Sequence, residues 1–179
     1  MSEYYEIDIA GVKRKLERFS VSDKMDIAAF ILFGDVEVTV AASEELIKKL
    51  PEFDVIFTPE AKSIPLAYEM SRQTGKPYVV GRKGQKVYMR NPIIVEVQSI
   101  TTKNIQRLCI GESEVEKIRG KRVLILDDVI STGESLKACE ELVEKAGGII
   151  SAKAAVLAEG DAKDRKDIVY IAPLPLFFK

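Results

Sequence analysis

Residues 123–135 read VLILDDVISTGES: an apolar run, two adjacent carboxylates (Asp127 and Asp128), then a turn of small and hydroxyl-bearing residues, Ser131, Thr132, Gly133, Glu134 and Ser135. A continuous apolar strand suits the centre of a parallel sheet covered on both faces, and such sheets bind ligands at the carboxyl ends of their strands. Where the turn enters a helix, free backbone N–H groups, the positive end of the helix dipole and three hydroxyls converge, a setting that holds phosphate. The GxxxxGK[ST] pattern is absent and no Lys follows Gly133, which argues against a nucleoside-triphosphate loop. Two carboxylates would repel a second phosphate but accept hydrogen bonds from neutral hydroxyls. The ligand implied is a sugar phosphate, its phosphate on residues 131–135 and its vicinal hydroxyls on Asp127 and Asp128.

The rest of the composition narrows the chemistry. The chain has no histidine, which removes Ser-His and Cys-His catalysis and every His-containing metal site, so proton transfer must use carboxylate, Lys or Tyr. Its two cysteines, Cys109 and Cys139, form no CxxC pair; with no apolar leader and no uncharged stretch long enough to span a bilayer, a reduced cytoplasmic protein is expected. Lys and Arg total 27 against 28 Asp and Glu, a net charge of -1, which supplies no bulk field for nucleic acid. With 179 residues, 46% of them hydrophobic, one domain over residues 1–179 is expected.

Apolar runs alternate with helical patterns along the chain, the signature of a parallel α/β sheet. Residues 4–20 alternate charged and apolar side chains and predict a hairpin-like unit, with 27–33 extended behind it. A helix is expected over 36–50, its inner stripe running through Val36, Val40, Leu46, Ile47 and Leu50, with Pro51 at its end. Strand 54–58, helix 64–73 closed by Gly75, and strand 78–80 follow. Residues 81–108 interrupt this rhythm with a basic stretch and a Thr/Ile/Val-rich segment able to pair as two strands; so long an excursion is usually functional. Strand 122–126, helix 134–146, strand 149–157 and a short strand over 169–171 complete the pattern, ahead of a Pro-rich tail.

The run VLILDDVISTGES resembles the phosphoribosyl-pyrophosphate signature of the type I phosphoribosyltransferases, in the right strand–loop–helix context. Two further segments carry the likeness. Glu60-Ala61-Lys62 after the second strand is similar to the family's Glu-Ala-Arg-Gly pyrophosphate loop, with Lys62 for Arg and Ser63 for Gly. Arg82, Lys83 and Lys86 match in register the cations at the root of the family's mobile catalytic loop. As the bond to pyrophosphate breaks, charge grows on the leaving group, and these cations together with Mg²⁺ can stabilise it. Glu96 falls where purine-specific relatives carry a loop carboxylate; it can take the proton from the attacking nitrogen, or simply face solvent in an alternating strand.

The resemblance implies the α/β type I fold: a mostly parallel twisted sheet flanked by helices, a small amino-terminal hood over residues 1–34, a core over 35–179 and a mobile β-hairpin spanning 83–105. It also implies a magnesium-dependent purine salvage transferase acting on a purine base and phosphoribosyl pyrophosphate, a homodimer, with neither nucleic acid nor membrane as partner. Which residues hold the metal stays open. Base choice points to adenine, because Ser131 stands where hypoxanthine-guanine enzymes carry Asp, and residues 157–161 offer Glu159 where 6-oxopurine enzymes place a Lys. Xanthine, hypoxanthine-guanine and orotate enzymes are the alternatives in the same chemistry. A non-catalytic sensor of phosphoribosyl pyrophosphate is the alternative outside it, though only about 35 residues precede the first core helix and they suit no DNA-binding module.

Overall fold

A computed structural model describes residues 3–98 and 105–179. Its centre is a five-stranded sheet of Val55–Pro59 (β4), Tyr78–Gly81 (β5), Arg122–Ile130 (β8), Ile149–Glu159 (β9) and Val169–Leu174 (β10). The order is β10-β9-β8-β4-β5 and every pairing is parallel. The run VLIL is fully buried, as a central strand requires. One apolar cluster fills each face: Phe57, Ile125 and Leu142 on one, Ile56, Leu124 and Leu126 on the other. Each such side chain contributes about 1.5–3 kcal/mol on burial.

The helices cover the two faces. Val36–Lys49 (α1) and Ile64–Thr74 (α2) lie on the face of Ile56, Leu124 and Leu126, and Glu112–Ile118 (α3) and Glu134–Lys145 (α4) on the face of Phe57 and Ile125. Asp35 caps α1 by accepting from the Val38 N–H, and Gly75, at φ 70°, closes α2 as expected. The expected inner stripe of α1 holds at Leu46, Ile47 and Leu50 but is corrected at its start: Val36 is 72% exposed, and the buried set is Val38, Thr39, Ala42, Ser43 and Leu46. Small side chains admit the helix closely, and the buried hydroxyls of Thr39 and Ser43 donate back to the carbonyls of Asp35 and Thr39.

The amino-terminal hood is a second sheet. Tyr4–Ile9 (β1) and Val12–Ser22 (β2) form the expected hairpin around Ala10-Gly11, both at positive φ, which suits a tight two-residue turn. The extended stretch expected over 27–33 is corrected to a short strand, Met25–Ala28 (β3), after which Phe30 and Leu32 plug the core without pairing. The tail returns as Phe177–Phe178 (β11) against β3, and Arg18 stacks on Phe177 with its guanidinium 3.9 Å from the ring centre. Arg14 ties hood to core by a forked contact with Asp35 at 2.7 and 2.8 Å.

The excursion forms a hairpin of Ile93–Gln98 (β6) and Ile105–Ile110 (β7). Its tip, residues 99–104, lies outside the described residues, and so does that part of the mobile segment expected over 83–105. Besides β11, two elements escaped the sequence pattern, α3 and a 3₁₀ turn over Gly160–Asp164. Both are too short for a periodic signal.

Candidate active site

The site forms where β4 and β8, neighbours in the sheet, end side by side. β8 runs four residues beyond its expected end and carries Asp127 and Asp128 within its last turn of pairing, opposite β9. Consecutive strand residues face opposite sides, yet both acids line one cavity of about 330 Å³ together with residues 59–62, Lys83 and Ser135. A second cavity, about 130 Å³, lies over residues 131–135 and Asp127.

Local chemistry builds the phosphate turn. Gly133 takes φ 84° at the start of α4, and no side chain caps that helix. Its first-turn amides are therefore left for a ligand. Asp128 is 3% exposed, and its Oδ2 has no hydrogen-bond partner although the Lys62 ammonium stands 2.9 Å away, off the hydrogen-bonding direction. Asp127 accepts the Asp128 N–H at 2.8 Å. Burial, with the neighbouring Asp128 carboxylate adding to it, pushes the Asp127 carboxyl up to about 8. With no ligand bound, burial and the neighbouring carboxylate thus favour the protonated form of this acid pair over two adjacent charges.

The pyrophosphate-side loop is anchored from below. Thr58 Oγ1 donates to the Leu126 carbonyl at 2.9 Å and stands 2.7 Å from Ser63 Oγ, so β8, β4 and the loop share one buried contact. The exchange of Gly for Ser63 is accommodated: Ser63 sits at φ -84°, where glycine is not required, and is 1% exposed. The Glu60-Ala61 peptide is cis. Glu60 accepts the Lys83 N–H at 3.0 Å and faces Arg82 Nε at 3.2 Å. The Lys83 N–H, then Arg82, hold its carboxyl below the ordinary range. Glu60 thus braces the two cationic segments against each other. Gly81 is forced by packing, since a Cβ there would lie 2.6 Å from Phe57 Cζ.

The residues singled out from sequence divide into two groups. Asp127, Asp128, Ser131, Thr132, Gly133, Glu134 and Ser135 line the two cavities with Glu60, Ala61, Lys62 and Lys83. Arg82 stands at the hairpin root, bound to Glu60 and the Tyr88 hydroxyl, while Lys86, Glu96 and Glu159 line neither cavity. Glu96 is exposed on β6, 3.4 Å from Arg107 across the hairpin. Glu159 ends β9 and leads into the 3₁₀ turn. Sequence reasoning missed Arg165, whose Nη1 would be 2.5 Å from a Cβ on Gly133. It lies in the run DAKDRKD, which reads as a solvated charge cluster and gives no sign of its neighbour.

A parallel sheet thus carries a helix-entry turn with open amides, an acid pair and a cationic loop at one rim. Residues 37–172 match the model of the phosphoribosyl transferase domain, and the chain belongs to the type I phosphoribosyltransferase family. It is 38% identical over 144 residues to the hypoxanthine/guanine phosphoribosyltransferase of Methanocella paludicola, covering 80% of this chain and 69% of that one. It is 33% identical over 119 residues to the adenine phosphoribosyltransferase of Kosmotoga olearia, 66% of each chain. The adenine phosphoribosyltransferase structure from Thermoanaerobacter pseudethanolicus shares the fold, with a TM-score of 0.68 at 24% identity, over 96% of this chain and 95% of that one.

Proposed function

We propose that this enzyme transfers a phosphoribosyl group from phosphoribosyl pyrophosphate to a purine nitrogen, with adenine as the preferred base, giving the nucleoside monophosphate and pyrophosphate. One observation carries the transfer: a single cavity joins the acid pair of β8, the end of the phosphate turn, the 59–62 loop and Lys83. In this reading the turn holds the 5′-phosphate, and Asp127 and Asp128 accept the ribose hydroxyls. Lys62, Lys83, Arg82 and Lys86 attract the leaving pyrophosphate. The bond from C1 of the ribose to pyrophosphate breaks, the purine nitrogen bonds to C1, and the nitrogen's proton passes to a base. Glu96, carried on the β6–β7 hairpin, is proposed for that role on closure over the donor.

Magnesium fits the donor chemistry, since carboxylate oxygens such as the unpartnered Asp128 Oδ2 are hard ligands. No group of three or more Cys, Asp or Glu able to hold a metal exists among the described residues, so the pyrophosphate would bring much of the ion's coordination. When bound, the ion neutralises charge on the leaving group.

Adenine rests on Ser131 at the head of the turn and on the acceptor Glu159 beyond β9. A 6-oxopurine is the second reading, favoured by the likeness to a hypoxanthine/guanine enzyme and by Lys163 in the 3₁₀ turn after Glu159. Buried free thiols at Cys109 and Cys139 support a reducing cytoplasm. Exposed Val36 and Tyr68, beside a groove between α1 and α2, support a homodimer. The test is pyrophosphate release with adenine, hypoxanthine, guanine, xanthine and orotate in turn. Adenine should turn over fastest; a faster 6-oxopurine would overturn the base, and no release with any base would leave a sensor.

A further inference from the structure

Among the described residues, no Lys or Arg lines the cavity over residues 131–135, whose charged lining is two acids, Asp127 and Glu134. A sugar phosphate is a dianion near neutrality, and helix-terminus amides carry only partial charge. The fold brings one guanidinium to the edge of this turn. Arg165 closes the 3₁₀ turn after β9, and β9 lies beside β8. Its Nη1 and Cζ would stand 2.5 and 3.8 Å from a Cβ at position 133, so the guanidinium approaches end-on with Nη1 leading. Gly133 is required by its φ of 84°, and a Cβ there would also displace the end of the Arg165 side chain.

The other end of the guanidinium is fixed. Nε and Nη2 donate to the two oxygens of Asp167 at 2.9 and 2.7 Å. Asp167 also receives Lys153 at 2.5 Å, and Lys153 reaches Glu140 on α4 at 2.6 Å. A forked arginine held on one edge by a carboxylate presents its remaining N–H groups in a set direction, which suits phosphate. Glu140 and Asp167 balance Lys153 and Arg165, so the network is neutral until an anion arrives.

We propose that Arg165 is a phosphate-binding residue of this site, its Nη1 supplying positive charge beside the turn for the 5′-phosphate of the sugar. This rests on the phosphoribosyl-transfer reading. It assigns to the chain a ligand about thirty residues beyond the turn it serves. Asp167 is then a positioning residue that acts through Arg165.

The experiment compares wild type with Arg165→Gln, using ribose 5-phosphate and inorganic pyrophosphate as separate calorimetric probes. The substitution should weaken ribose 5-phosphate by about ten- to a hundredfold and leave pyrophosphate unchanged. In ³¹P spectra of bound ribose 5-phosphate, the second phosphate pKa should rise in the variant, because a neighbouring cation that favours the dianion is gone. A role confined to bracing the turn would not move that titration. Equal ribose 5-phosphate affinity, or an equal loss for both probes, overturns the assignment. Should Arg165→Gln not fold, Asp167→Asn frees the guanidinium from its anchor and should cause a several-fold loss for ribose 5-phosphate alone; no loss overturns the proposal. Wild type that fails to bind ribose 5-phosphate would instead overturn the phosphoribosyl reading itself.

Discussion

Replacing Asp127 by Asn should make the empty protein more stable and worse at holding its donor. In the folded chain the Asp127 carboxyl titrates at about 8, against 3.8 for an ordinary Asp, because burial and then the Asp128 carboxylate oppose its charge. Between those two values the folded state holds a proton that the unfolded chain has released. Stability is therefore fullest below about pH 4 and falls as pH rises, until the folded group also ionises near 8. Each decade of pH across that window costs the folded state at most on the order of 1 kcal/mol, so the penalty grows steadily from acid toward neutrality. Asn cannot ionise, and its side-chain oxygen can still accept the Asp128 N–H that Asp127 accepts at 2.8 Å.

Urea unfolding of both proteins at pH 4, 5, 7 and 8.5 reads this directly. The curves should nearly coincide at pH 4 and separate steadily in favour of Asp127→Asn up to pH 8, with no further divergence above it. At pH 8.5, where Asp127 ionises, ribose 5-phosphate affinity should fall by about ten- to a hundredfold, as expected for losing one hydrogen bond to an ionised acceptor. A stability gap independent of pH, or one that widens toward acid, would refute the reasoning. The trade would then have to come from packing and not from charge.

Three other substitutions probe separate parts of the site. Lys62→Met removes the ion pair to Asp128; Lys62 is 53% exposed but the Asp128 side chain only 4%, so the variant leaves a buried carboxylate without its cation and should lose about 1–3 kcal/mol of thermal stability, while pyrophosphate affinity in calorimetry falls at least about tenfold. Gly133→Ala forces a Cβ onto a left-handed backbone and against Arg165, and should lower denaturant stability by about 1–2 kcal/mol or more along with ribose 5-phosphate affinity. Glu96→Gln breaks only an exposed pair with Arg107, so the melting curve should shift by less than about 0.5 kcal/mol, whereas kcat should drop about a hundredfold if the hairpin delivers the base; an unchanged kcat removes Glu96 from the reaction.

The strands of the central sheet were legible because each is a short apolar run bounded by a breaker, and burial on both faces leaves no other reading for VLIL or VIFT. The hairpin 4–20 was legible for the opposite reason, a strict alternation that buries Ile7, Ile9 and Leu16 and exposes the charges between them. Rotation of α1 was not legible. Its core face joins the apolar Val38, Ala42 and Leu46 to Thr39 and Ser43, two buried hydroxyl residues that apolar periodicity does not count. The return of Phe177 to β3 was hidden because it depends on a partner about 150 residues away in sequence.

The same distinction separates the parts of the site. Asp127, Asp128 and the turn after them are contiguous, so their types and order announce a sugar-phosphate cradle before any fold is known. Lys62 and Arg165 acquire meaning only through the sheet: β4 lies on one side of β8 and β9 on the other, so the loops leaving those strands deliver one cation to the acid pair and one to the phosphate turn. A parallel sheet places all its carboxyl ends on one rim, which lets charges far apart in the chain neutralise one ligand. Sequence spacing records the groups proposed to meet the sugar; strand order brings the cations beside them.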